Sequence, residues 1–363
     1  MRTLLPAALL AVLLWPAAPA GAQPATPFDR LPTGVFDATP PAAHTSGAPG
    51  QMTGRPLACR ALPVADARQR IVELAVQEWG FFGFPIVEYS EDDDGPGEAR
   101  GRAAGPAGRG GGPGGGRGRG PSRIGTPEAA RTAASIGGYW AVTPGGAWIL
   151  ERQNEYWREA ISGVTRWRFP WSAAFISWLM CEGGIGAAEQ FQRAIAHHTY
   201  IDQAIRARDG AASRAAYIAH DAGEAPVAPG DMVCTARQPA YRTLAERRRQ
   251  MGQGARTHCD LVVKVDDAAG RILAIGGNVR GVVGLKLIPA TRVQGRLQPA
   301  LPSSARQVFA HLRLRGTPSP AALTAFDRSP TLRATACAGS VVSAAPQAAT
   351  LRQVLASGAS CAE

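Results

Sequence analysis

The chain is 363 residues long with a formal net charge of +11, enough for one or two domains once an export signal is removed. Its cations are nearly all arginines, Lys264 and Lys286 being the only lysines. With 43 Gly and 29 Pro this reads as compositional bias, which leaves wall polymers and phospholipid head groups as anionic neighbours without selecting either. After the signal, no segment approaches the roughly 20 apolar residues that a membrane span requires, so a transmembrane reading is excluded.

Residues 1–22 have the form of a secretory signal: Arg2, an apolar run from Leu4 to Leu14, then Ala20-Gly21-Ala22 before Gln23. No cysteine follows closely enough for a lipid anchor, so an exported, periplasmic protein is expected. Six cysteines in an oxidising compartment imply disulfides, with fifteen pairings open. Residues 23–65 are read as a flexible leader on their Pro, Ala, Gly and Thr content.

The domain is expected over 66–315. It begins with a helix from about Asp66 to Trp79, where Ile71, Leu74 and Ala75 recur at helical spacing. Residues 91–126 form a low-complexity insert, in which six Arg nearly cancel five acidic residues and no aromatics are interleaved. A nucleic-acid partner is therefore set aside in favour of a solvated loop. Helices are predicted at 148–160, from Ser172 to the stop at Gly183-Gly184, and over 187–208. Pro229-Gly230-Asp231 turns into a strand at 232–235. Strands at 258–265 and 271–277 flank the hairpin loop Asp266–Gly270, and another is expected at 282–288. Residues 316–363 read as a weakly ordered tail in which Cys337 and Cys361 close a loop. Helices first and a small antiparallel sheet after them make an α+β fold.

The hairpin supplies a candidate site. If Val265 pairs with Arg271, His258 faces Asn278, at the roughly 4.5–5.5 Å Cβ separation of opposed residues. The Asn278 amide would then hold one imidazole nitrogen and aim the other at a nucleophile. Alternation places His258, Asp260 and Val262 on one face and Cys259, Leu261 and Val263 on the other. Cys259 is thus a poor nucleophile and a good disulfide partner for Cys234. No metal is expected, because the chain lacks C-x-x-C and H-x-x-x-H spacings, and no cofactor is called for.

Pro170-Trp171-Ser172-Ala173-Ala174-Phe175-Ile176-Ser177-Trp178, Pro229-Gly230-Asp231, His258-Cys259-Asp260 and Gly276-Gly277-Asn278 together resemble the bacterial domain of unknown function 2272 (DUF2272). That domain is similar to the papain-like NlpC/P60 and CHAP peptidoglycan hydrolases. The resemblance covers residues 67–315, apart from the insert. It implies a papain-like helix packed on the sheet, with Ser172 at the nucleophile position (cysteine in the CHAP-like enzymes), His258 as base and Asn278 as its orienter. Trp171, Ala173, Asp260 and His197 are the expected cleft-lining residues.

Serine changes the chemistry. A helix N-terminus and a nearby imidazolium can hold a cysteine as a thiolate, whereas a hydroxyl must lose its proton during attack. Two readings follow. One is an exported hydrolase of an amide or ester bond in wall peptide, acting through Ser172, His258 and Asn278. The other is a non-catalytic module that keeps the cleft to bind peptidoglycan or another envelope component, with Ser172 as an ordinary helix N-cap.

Overall fold

From Met232 to Leu314 the sequence alternates apolar runs with Gly- and Asp-bearing turns, and these runs form most of one sheet. The structure, a computed structural model, describes residues 29–55, 58–88, 127–159, 167–300, 306–337 and 347–356. The expected signal, the insert 91–126 and Cys361 lie outside the described residues.

The helical half comprises α1 (Val64–Phe81), α2 (Pro127–Ala141), α3 (Gly146–Glu159), α4 (Ser172–Glu182) and α5 (His197–Arg208). A two-residue pair, β1 (Thr45–Ser46) and β2 (Thr53–Gly54), lies in the N-terminal segment. The main sheet uses β3 (Ile86–Glu88), β4 (Tyr217–His220), β5 (Met232–Gln238), β6 (Arg256–Asp266), β7 (Arg271–Val279), β8 (Val282–Val293) and β10 (Val308–Leu314), with β9 (Arg296–Pro299) paired to β8. Its order is β3-β8-β7-β6-β5-β10-β4. Every pairing is antiparallel except that of β3 with β8. The fold is α+β.

Period-2 alternation sorts the strands between two cores. Cys234, Cys259, Leu261, Ile275 and Leu285 join the main core with α1, α4 and α5. Val233, Val262, Ala274 and Ile288 form a second cluster on the other face, covered in part by Leu297 of β9. Both faces of the sheet are buried.

Three expectations are corrected here. Residues 29–55, read as a flexible leader, are packed: Phe36 and Met52 enter the core, Arg30 forms a bidentate pair with the buried Glu78, and Cys59 is bridged to Cys181 at the end of α4. A few apolar and ionic anchors are enough to order a segment whose composition is otherwise loop-like. The described residues of the tail are packed as well, with Phe326 stacked on Trp79 at 6.1 Å and Gln347 bracketing the backbone of Ile86. The helix expected over 187–208 starts only at His197, because residues 187–196 exchange hydrogen bonds with other elements, such as Ala194 with the Ser177 hydroxyl.

Asp231, expected merely in a turn, is a fully buried hub. It accepts from Arg68 of α1, from His311 of β10 and from the amides of Ala228 and Leu314. This hub ties the first helix to the strand pair that closes one edge of the sheet.

Candidate active site

Ser172 is the first residue of α4, and Trp171 occupies the N-cap position. The hydroxyl caps no backbone amide. It lies instead 2.6 Å from Nε2 of His197, which is itself the first residue of α5. The N-cap reading of Ser172 is therefore corrected. Two helix N-termini, each carrying a partial positive charge, deliver the serine and the histidine to one point.

The other side of the His197 ring decides its chemistry. Nδ1 accepts the backbone N–H of Cys259 at 3.2 Å and also meets the hydroxyl of Tyr200, one helical turn on. A backbone N–H can only donate, so Nδ1 keeps its lone pair and the ring proton sits on Nε2. Burial, reinforced by the neighbouring His258, holds His197 well below the ordinary histidine value, and the ring stays neutral. Burial likewise raises the Tyr200 hydroxyl and keeps it protonated. His197 is thus a neutral donor to the Ser172 oxygen, and the serine proton is free for another acceptor.

The Cys259 amide is available to His197 because of the register. Cys259 opposes Cys234, with their Cα atoms 4.1 Å apart, the narrow spacing of a pair whose amides point away from each other. Its N–H therefore points towards β7, where the β6–β7 ladder has already ended at Leu261↔Ile275. His197 fills that fork. The two cysteines are disulfide-bonded, so the helix-facing position on this stretch of β6 is taken by sulfur.

His258 and Asp260 stand on the opposite face. Asp260 pairs with Val233 of the second cluster, and its carboxylate accepts from His258 Nε2 at 2.8 Å and from Lys286 Nζ at 3.1 Å. Burial alone would push this carboxyl up. His258 and Lys286 outweigh burial and hold it well below the usual carboxylate range. A charged Asp260 can only accept, which puts the His258 proton on Nε2 and leaves Nδ1 as the basic nitrogen. The His258 and His197 rings meet across the fork with centroids 5.2 Å apart.

Asn278 is not the orienter of His258. The hairpin turns one residue later than expected, at Asp266↔Arg271, and a bulge between Val262 and Lys264 restores the expected register at Leu261↔Ile275. The ladder then stops. Gly276-Gly277 carries β7 away, and Asn278 sits at φ 56° in the left-handed region that a turn asparagine tolerates. The orienter position is filled by Asp260, two residues along the same strand face as His258.

The two glycines are required by contact. A Cβ on Gly276 would lie 1.9 Å from Asp260 Oδ1, and one on Gly277 would lie 2.5 Å from Cβ of Phe175 in α4. Gly276 makes room for the carboxylate, and Gly277 lets the strand lie against the helix.

Of the expected cleft-lining residues, Asp260 and His197 belong to the cluster. Trp171 and Ala173 do not line an opening. Trp171 is stacked between Phe82 and Tyr139 at 5.9 and 5.8 Å, and both residues are buried in the main core. Tyr200 and Lys286 were missed as site residues. Tyr200 carries a signal in its spacing, three residues after His197, and Lys286 in being one of only two lysines in an arginine-rich chain. Among the described residues no group of three or more His, Cys, Asp or Glu is arranged to hold a metal ion, and no helix is long and apolar enough to cross a membrane.

Residues 132–312 match the family model described as an uncharacterized protein conserved in bacteria (DUF2272). No curated protein and no solved structure matches the chain.

Proposed function

The chain belongs to the DUF2272 family, whose description assigns no activity, and from the site we propose an exported, papain-like hydrolase that cleaves an amide or ester bond in wall peptide. One observation carries this reading: a serine, two imidazoles and a buried carboxylate meet at a single fork between the starts of α4 and α5 and the sheet. Burying so many polar groups costs stability, and functional sites are where such costs are retained.

In this reading Ser172 Oγ attacks the carbonyl carbon while its proton passes to Nδ1 of His258, with Asp260 holding the other ring nitrogen. The tetrahedral oxyanion is met by the backbone amides of Ser172 and Ala173. These are first-turn donors of α4 with no side-chain cap. His258 then returns the proton to the leaving amine or alcohol. Water, deprotonated in the same way, releases the acyl group and restores Ser172. His197 donates to Oγ throughout and fixes its position.

One observation favours the second reading, a non-catalytic module that binds peptidoglycan or another envelope component. The Ser172 oxygen already accepts an N–H, and Ser172 makes no hydrogen bond to His258. Incubating purified sacculi with wild type, Ser172→Ala and Ser172→Cys separates the two. The hydrolase releases muropeptides as wild type and loses release in Ser172→Ala. No release by wild type together with strong release by Ser172→Cys identifies a binding scaffold. Equal release by wild type and Ser172→Ala removes Ser172 from the chemistry.

A further inference from the structure

We infer that Lys286 is a positioning residue for His258, acting through Asp260 to keep the imidazole available as an uncharged base. The inference rests on the reading of His258 as the base, and it assigns a task to a side chain outside the serine–histidine constellation.

The geometry is specific. Lys286 lies on β8 opposite Ala274 and projects to the same sheet face as Asp260. Its side chain is only 8% exposed, and that of Asp260 only 3%. The carboxylate divides its oxygens: Oδ1 takes the His258 ring N–H and Oδ2 takes the ammonium. Gly276, where a Cβ would strike Oδ1, keeps the space in which the three groups meet.

The choice of lysine is informative in itself. Among 39 cationic residues only Lys264 and Lys286 are lysines, and Lys264 forms a pair with Asp327 packed near Phe326. A guanidinium is a wide planar fork suited to gripping both carboxylate oxygens. An ammonium is a point charge that can satisfy one oxygen and leave the other to His258. A lysine at this buried position matches a carboxylate that has to serve two partners.

The electrostatic consequence has a definite sign. A buried carboxylate facing a histidine alone favours the imidazolium, which cannot accept a proton from a hydroxyl. An ammonium on the second oxygen balances the carboxylate charge and removes that bias, while leaving the orienting hydrogen bond intact. The other groups facing His258 are His197, which is neutral, and through it the uncharged hydroxyls of Tyr200 and Ser172. None of them can replace the ammonium.

The test is an NMR titration of the imidazole Cε1–H signals in the full chain, with His258→Gln used to assign the His258 signal. Lys286→Met and Lys286→Gln remove the charge with different side-chain chemistry, and whichever keeps the wild-type amide spectrum is read. The midpoint for His258 rises by about one pH unit in the neutral variant and returns towards the wild-type midpoint in Lys286→Arg. A folded neutral variant with an unchanged or lowered midpoint overturns the inference. Titration needs no turnover, so failure of the hydrolase reading in the sacculus assay is distinguishable from failure of this one.

Discussion

At the scale of single residues, the tautomer of His197 governs what the site can do. The backbone N–H of Cys259 on Nδ1 makes the ring a donor to Ser172, so in the proposed hydrolase the base is the half-buried His258. The buried neutral ring also has a thermodynamic signature. Its folded value is depressed, so between the ordinary value of 6.5 and the folded one the unfolded chain binds the extra proton. Stability is therefore fully present above about pH 6.5 and declines as the pH falls below it. Wild type is expected to lose more stability than His197→Gln between about pH 7 and pH 5, measured as the difference in urea midpoints. The depressed His44, His198 and His220 are common to both proteins and cancel. Parallel losses would mean that His197 takes up its proton without cost. The sequence located Ser172, His258 and Asp260 through a helix start and strand alternation. It could not reveal His197 as the partner of Ser172, because that contact depends on where two helix N-termini converge in space.

At the scale of elements, the site exists because a ladder stops. The hairpin register was legible, although through compensation: a turn one residue later and a bulge of one residue cancel before Leu261↔Ile275. What remained hidden was the end of the pairing, which is set by Gly276-Gly277 meeting Asp260 on one side and Phe175 on the other. Each glycine accordingly has a separate expected phenotype. Gly277→Ala overpacks the α4–β7 contact and should cost about 1–3 kcal/mol in chemical denaturation. Gly276→Ala should move the Asp260 carboxylate away from His258 and lose the proposed hydrolytic activity, while the amide spectrum stays folded. Wild-type stability in Gly277→Ala, or full activity in Gly276→Ala, would contradict these contacts.

At the scale of the molecule, composition misled where a few anchors outweigh many loop-like residues. The segment 29–55 is fastened by Phe36, Met52 and the Arg30–Glu78 pair, and Cys59–Cys181 ties residues 122 apart in sequence. The α+β order of helices followed by strands was legible from periodicity, whereas the pairing of β10 between β5 and β4 was not. Such non-local pairing leaves no local pattern to read. The two disulfides Cys59–Cys181 and Cys234–Cys259, together with the absence among the described residues of a helix able to cross a membrane, are consistent with an exported protein.

In the proposed hydrolase this assembly makes Ser172 a working nucleophile with His258 as its base. Intact-mass analysis after exposure to a fluorophosphonate, which phosphonylates an activated serine with loss of fluoride, tests it most directly. A single adduct is expected on the peptide containing Ser172, absent from Ser172→Ala and formed on the order of a hundredfold more slowly in His258→Gln. A folded wild-type protein that takes up no label, or a Ser172→Ala protein that labels equally, would contradict it.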